Sequence, residues 1–193
     1  LEPFQALAEL ATVVKRTALR TTRLDDVAEA AEADFLKMDV QGAELDVLRG
    51  GARLLASLLV VQTEVAFVPI YRDQPLFADI DAELRRHGFM FHRFAGIGGR
   101  AFKPFVKNGD LAAPISQQLW GDAIYVRDLT RLDTLAPDRL LKLALIVNEA
   151  YISFDLAAFV LRTHDRMTGG RLGAGFTSAV VAAQPAKAAA GAA

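Results

Sequence analysis

The chain has 193 residues, 52% of them hydrophobic, and a formal net charge of -1. This length suits one domain with its own core and is short for two. The near-zero charge offers no basic footprint for nucleic acid or an anionic membrane, so we expect neither as a partner. Because there is no cysteine, disulfides, thiolate metal sites and a cysteine nucleophile are excluded.

No transmembrane or targeting segment is predicted. No apolar run approaches the roughly 18–20 residues of a membrane helix. Glu2 and Pro3 stand where a signal peptide would have a basic start followed by an apolar run. Together with the absence of cysteine, this is compatible with a cytoplasmic location. The first residue is Leu1 rather than methionine, which suggests a processed, trimmed or incomplete N-terminus.

The N-terminal segment predicts a helix followed by an extended stretch. Apolar residues recur at helical spacing over Pro3–Val14. Threonine, valine and alternating basic residues favour extended structure over Val13–Leu24. A further helix start is predicted after Leu24, with Asp25 or Asp26 capping its first turn.

The stretch Phe35–Gly51 predicts a strand, a tight turn and a helix. Phe35–Val40 is typical of a short buried strand, and Ala43–Arg49 of the start of a helix. Between them, Gln41 and Gly42 form the turn, since a glycine lets the backbone bend sharply and leaves room for a ligand.

Polar residues in this predicted strand need an explanation, because an unpaired polar group is costly inside an apolar strand. Lys37 and Asp39 are two positions apart and so point to the same face. Asp39 also lies at the carboxyl end of the strand, where ligands collect in open α/β sheets. Glu44 falls in the first helical turn, where the helix dipole favours a carboxylate. An internal ion pair between Lys37 and Asp39 explains the pattern as well as a binding site does.

A second strand is predicted over Leu58–Phe67, which is apolar and rich in β-branched residues. Two strands separated by a helix of this length predict parallel pairing, with both carboxyl ends at one rim. Glu64 would then share that rim with Asp39. Either Glu64 lines a pocket there, or it is a buried carboxylate paired with Lys37.

Downstream, the sequence predicts one helix and two antiparallel strands. The helix runs from Pro75 to a stop at Gly88. The strands are Phe89–Phe94 and Asp122–Arg127, with Ala95–Arg100 as a turn. The long excursion Phe102–Trp120 is either a substrate lid or plain packing over the sheet edge.

Two helices and a tail end the chain. The helices are predicted over Asp138–Tyr151, opened by Pro137, and over Ser153–Met167. Such a pair more often means extra core or an oligomer face than catalysis. Glycine and alanine dominate from Thr168 onwards and predict a disordered tail. The apolar stripes of the two helices are Leu140, Leu141, Leu145, Leu156, Phe159 and Val160.

The pattern K-x-D-x-x-G-x-E followed by L-x-V-L-R-G resembles the signature of the FkbM family of methyltransferases. The likeness continues through Val60–Phe67, Pro69–Phe77 and Gly88–Phe94 and spans roughly Thr21 to Arg127. The resemblance implies a Rossmann-like α/β sheet with S-adenosylmethionine (SAM) as cofactor. It also implies methyl transfer to a hydroxyl of a sugar, polyketide or related small molecule, including glycans.

The resemblance implies that Asp39 and Glu64 are catalytic, with Asp39 orienting or deprotonating the acceptor and Glu64 assisting. His92 is an alternative base, because imidazole titrates near neutral pH. No metal is implied. The other implied contacts are Asp39, Gln41 and Gly42 at the cofactor, and Glu44 and His92 at the substrate.

The chain departs from the family at its start. A Rossmann-like methyltransferase holds its cofactor with a glycine-rich turn after its first strand, and no such strand and turn precede Phe35. The chain therefore resembles the carboxyl-terminal half of such an enzyme. It is predicted to consist of a partial Rossmann-like domain over 1–130, a helical extension over 131–168 and a tail over 169–193. A half-sheet exposes a strand edge, which Val13–Leu24 or a second copy of the chain would cover.

Two other functions compete with methyl transfer. One is a non-catalytic α/β module that keeps the fold and binds a partner. The other is a carboxylate enzyme in which Asp39, Glu44 and Glu64 hold a divalent cation such as magnesium. A nucleotide oxidoreductase is disfavoured, because no G-x-G-x-x-G follows a strand.

Overall fold

A computed structural model of the chain describes residues 1–10 and 12–183. It divides into two compact units, Leu1–Asp128 and Leu129–Ala193. The strands are β1 Phe35–Met38, β2 Val60–Ala66, β3 Phe89–Gly99 and β4 Gln118–Arg127. The helices are α1 Leu7–Leu10, α2 Glu44–Gly50, α3 Ala52–Ser57, α4 Phe77–Arg86, α5 Pro137–Tyr151, α6 Phe154–Thr168 and α7 Leu172–Ala183.

The first unit contains one open sheet in the order β1-β2-β4-β3. β1 and β2 are parallel, and β4 is antiparallel to both β2 and β3. The parallel pairing of the first two strands and the antiparallel pairing of the last two were both predicted. A mixed α/β unit with an open four-stranded sheet confirms the predicted fold class, a partial Rossmann-like sheet.

The core of this unit lies between one face of the sheet and helices α2, α3 and α4. Side chains alternate between the two faces of a strand, so every second residue of each strand points into this core. Full burial of a leucine or valine side chain contributes about 1.5–3 kcal/mol. The buried residues from the strands are Met38, Val61, Val65, Phe89, Ala123 and Tyr125, and those from the helices are Leu48, Leu54, Leu55, Ile80 and Leu84.

The N-terminal helix is much shorter than predicted. Of the helix predicted over Pro3–Val14, the structure forms Leu7–Leu10, and residue 11 lies outside the described range. Residues 12–23 form neither helix nor strand and are exposed, so they do not cover the free edge of β1. The sheet limits that exposed edge by another means, because β1 is only four residues long.

The strand β3 is longer than predicted. Its carboxyl-terminal part, predicted as a turn over Ala95–Arg100, continues to pair with β4 through several register shifts. The glycines allow this pairing: a Cβ on Gly98 would lie 2.3 Å from Nε1 of Trp120. Gly98 thus leaves room for the ring of Trp120, and Gly99 permits close approach of the Gln117 backbone.

Asp25 caps a helix, but a different one from the helix that the sequence predicts. Its side chain, 3% exposed, accepts hydrogen bonds from the backbone N–H groups of Arg53 at 3.1 Å and Leu54 at 2.9 Å, at the start of α3. Burial opposes its ionisation, but these two hydrogen bonds and the charge of Arg53 outweigh burial and lower the pKa of Asp25.

We expect Asp25→Ala to lower the melting temperature by about 3–6 °C, because two N–H groups of α3 lose their acceptor. Asp25→Asn keeps one acceptor oxygen but turns its NH₂ group toward the other N–H group, so about half of the loss should remain. Thermal unfolding followed by circular dichroism measures both. Equal melting temperatures for wild type and Asp25→Ala would contradict the capping role.

The second unit contains α5, α6 and α7. Helices α5 and α6 were predicted within one residue of their ends. Residues 172–183, predicted as part of a disordered tail, form α7, and residues 184–193 lie outside the described range. Helix α7 is anchored by Asp165, whose carboxylate accepts from the N–H groups of Leu172 and Gly173, each at 2.8 Å.

The predicted apolar stripe of α5 is partly wrong. Leu140 is buried, but Leu141 and Leu145 are 39% and 61% exposed. The buried stripe continues instead through Leu143 and Val147. Within the described ranges, no helix is both long and apolar enough to cross a bilayer.

Candidate active site

Three carboxylates lie side by side where β1 and β2 end. Asp39 directly follows Met38, whose register partner Thr63 directly precedes Glu64. Glu64 is in turn the register partner of Asp122 on β4. Because paired residues of neighbouring strands share a face, Glu64 and Asp122 point to the same side of the sheet. The charge of Asp39 acts on Glu64 from the end of β1. We call this group the acidic rim.

The acidic rim changes the protonation of Glu64. Burial, and then the charges of Asp39, Glu44 and Asp122, raise the pKa of Glu64 to about 7. A carboxyl group with such a pKa exchanges its proton near neutral pH, as a general base requires. The sequence suggested Glu64 as a pocket residue, and the structure brings it together with Asp39.

The turn after β1 is built around Glu44. This residue is 4% exposed, and its carboxylate accepts from the backbone N–H groups of Val40 and Gly42, with a shortest distance of 3.0 Å to each. Two residues of the turn have positive φ, +54° at Gln41 and +104° at Gly42. Glu44, which was predicted to contact a substrate, is therefore buried beneath the turn and stabilises it.

The hydrogen-bond partner of the Asp39 side chain is the amide of Gln41, and not the predicted Lys37. Its Oδ1 accepts a hydrogen bond from Nε2 of Gln41 at 2.5 Å. Within the part of the chain that the structure describes, no ion pair joins Lys37 to Asp39 or to Glu64. Lys37 is exposed on the edge strand β1, where water solvates its charge.

Sequence reasoning missed Tyr71 and Asp122. Tyr71 lies in the loop after β2, and its hydroxyl donates to Oε1 of Gln41 at 2.6 Å. Asp122 is an acidic residue directly before the apolar run Ala123–Val126, and this polarity in a buried strand was the signal that could have revealed it.

His92, the alternative base, is not brought to the acidic rim. It lies on β3 at the opposite edge of the sheet from β1, with β2 and β4 between them. Three strand spacings correspond to about 14 Å. A role shared with Asp39 has no support from this placement.

Asp39, Glu44 and Glu64 were also predicted as possible ligands of a divalent cation. Among residues 1–10 and 12–183, no group of three or more histidine, cysteine or acidic side chains is arranged to hold a metal ion. The reason is visible at Glu44, whose oxygens are already bonded to backbone N–H groups.

The acidic rim fits the positively charged end of SAM, because its carboxylates lie close enough to act on one another. Gly42 adds no room for a ligand, since the ring of Tyr71 occupies the space beside it. In the described residues no strand precedes β1, so the glycine-rich turn implied by the family resemblance has no counterpart there. An open cleft of about 310 Å³ lies beside the turn, lined among others by Gly42, Arg49 and Gln74, and Asp39 does not line it.

Comparison with known proteins gives one finding. The family model described as Methyltransferase FkbM domain matches residues 4–91. This confirms the resemblance over a segment that contains β1, α2, β2 and α4, with most of the residues above, and it supports a methyltransferase. No curated protein and no solved structure matches the chain.

Proposed function

We propose, on the premise that residues 4–91 match the FkbM methyltransferase domain, that the chain acts in SAM-dependent O-methylation of a sugar or another small hydroxyl compound. The observation that supports this proposal is the acidic rim at the carboxyl ends of β1 and β2, next to a preformed turn. Ligands bind at this end of open α/β sheets.

The cofactor supplies, when bound, an electrophilic methyl group on a sulfonium. The residues of the chain then have two tasks, to align the acceptor oxygen and to remove its proton. We assign the first task to Asp39, whose Oδ2 has no hydrogen bond from the protein within the described residues. We assign the second to Glu64, which lies close enough to Asp39 for the Asp39 charge to raise its pKa. Gln41 and Gly42 form the adjoining wall.

We expect Asp39→Asn to reduce methyl transfer by about 10²-fold, the usual cost of a misplaced acceptor. Asparagine can still accept the hydrogen bond of Gln41, so the turn should keep its shape while the charge is lost. Calorimetry measures SAM binding, and release of S-adenosylhomocysteine measures transfer to a panel of sugars and other hydroxyl compounds.

The matched control is Asp46→Asn, which removes an exposed carboxylate of α2 close in sequence. It should leave SAM binding and transfer unchanged. Wild-type activity in Asp39→Asn, or equal losses in both variants, would contradict the role of Asp39.

A non-catalytic binding module is the second candidate. It is favoured by the open cleft of about 310 Å³ beside the turn, which Asp39 does not line. A chain that binds no SAM in calorimetry would support this alternative. A cytoplasmic location and a homo-oligomer stay predictions, and gel filtration with light scattering tests the latter.

A further inference from the structure

We infer that Tyr71 is a positioning residue, which sets the direction of the Asp39 carboxylate through the side chain of Gln41. The inference rests on the proposed function in one respect, that Asp39 faces a bound ligand. Tyr71 follows β2 and Gln41 follows β1, so their contact joins loops that are 30 residues apart.

The hydrogen bonds between these side chains run in one direction. The hydroxyl of Tyr71 donates to Oε1 of Gln41 at 2.6 Å, and Nε2 of Gln41 donates to Oδ1 of Asp39 at 2.5 Å. An ionised carboxylate only accepts, so the amide nitrogen has to face Asp39 and the amide oxygen has to face Tyr71. Burial, and then the charges of Glu64, Asp39 and Glu44, raise the pKa of Tyr71, which keeps its hydroxyl a donor.

Tyr71 is itself held in place from two sides. The N–H groups of Ile70 and Tyr71 both donate to Oε1 of Gln74, at 2.9 and 3.1 Å. The ring lies against Gly42, where an added Cβ would be 3.1 Å from Cδ2 of Tyr71. The two loops are therefore packed together before any ligand binds.

The backbone of Gln41 also indicates preorganisation. Its φ of +54° is uncommon for a residue other than glycine, and such conformations persist where the surroundings enforce them. Glu44 bonds the N–H groups on either side of Gln41, which fixes the backbone, and Tyr71 fixes the side chain. Without the Tyr71 hydroxyl, the amide can rotate and Asp39 loses its fixed donor.

The test is a double-mutant cycle with Tyr71→Phe and Gln41→Ala, using SAM as the calorimetric probe. Tyr71→Phe keeps the ring on Gly42 and should weaken binding about 3- to 10-fold, the usual effect of one lost hydrogen bond. In the Gln41→Ala background it should cause no further loss, because its effect passes through Gln41. Arg72→Ala, an exposed change in the same loop, is the control and should bind like the wild type.

A second readout does not depend on the cofactor. The side-chain amide signal of Gln41 in a ¹H–¹⁵N spectrum, identified by its loss in Gln41→Ala, should move toward the position of a free amide in Tyr71→Phe. An unmoved signal, or equal losses of affinity in both backgrounds, would overturn the inference. A moved signal in a chain that binds no SAM would support the contact while refuting the proposed function.

Discussion

Glu64→Gln should be more stable than the wild type at alkaline pH and should at the same time lose methyl transfer. Glutamine has nearly the same shape as glutamate but carries no charge, so it does not repel Asp39, Glu44 and Asp122. Because the side chain is only half-buried and solvent screens it, we expect a gain of about 1–2 kcal/mol in the free energy of unfolding at pH 9.

The direction in which stability changes with pH follows from proton binding to Glu64. Burial and the three neighbouring carboxylates raise the pKa of Glu64 from 4.5 to about 7 in the folded chain. The folded state therefore holds a proton that the unfolded state releases between these two values, and stability falls as pH rises through this range. The contribution is complete below pH 4.5 and lost above about pH 7. Glu64→Gln should show a flatter profile over this range.

The activity of the same variant should move in the opposite direction. If Glu64 takes the proton of the substrate hydroxyl, the rate of methyl transfer in the wild type should rise with pH through about 7. The rate in Glu64→Gln should be about 10²- to 10⁴-fold lower. Active-site residues of enzymes often lower the stability of the folded state while they serve the reaction.

Urea unfolding at several pH values measures the stability, and release of S-adenosylhomocysteine measures the transfer. Glu32→Gln, an exposed glutamate in the same unit, is the matched control and should change neither quantity. Parallel pH profiles for Glu64→Gln and the wild type would show that Glu64 is not under the influence of the acidic rim.

The second large effect is expected at Glu44. Glu44→Ala should lower the free energy of unfolding by about 2–3 kcal/mol, because the N–H groups of Val40 and Gly42 lose a charged acceptor and α2 loses a carboxylate in its first turn. The turn that carries Gln41 should also lose its conformation, so SAM binding should fall with stability.

Glu44→Gln separates these contributions. Its amide oxygen can accept from one N–H group, but its NH₂ group would face the other donor, so about half of the loss should remain. Urea unfolding of the two variants at neutral pH is the measurement. A stability of Glu44→Ala equal to that of the wild type would mean that the turn forms without Glu44, contrary to the geometry described above.

Residues whose neighbours are close in sequence were predicted well. The turn at Gln41 and Gly42 and helix α4 with its stop at Gly88 follow from turn chemistry and capping, which are local properties. The strand before Asp39 also forms, but it is a largely exposed edge strand and not the buried strand that was predicted. The long apolar strand around Val61 and its parallel pairing with β1 follow from composition and connection length.

Side-chain partners across the chain were not predicted. Asp25 was expected to cap its own helix, yet it caps α3, because the backbone N–H groups that reach its carboxylate belong to Arg53 and Leu54. Glu44 was expected to face a substrate, yet its oxygens are used by the turn. Both outcomes depend on where the chain folds back, which spacing alone does not specify.

The sequence by itself determined the class of this protein: an α/β sheet with an FkbM-type strand, turn and helix, carrying an acidic residue where the strand ends. Only the tertiary structure decided which groups act together. It placed Glu64 opposite Asp122 in the strand register and formed the hydrogen bond between Tyr71 and Gln41. It also left the side chain of Lys37 exposed to solvent. The physical reason is that charge repulsion and hydrogen bonding act over a few ångströms in space, and strand register brings distant residues that close.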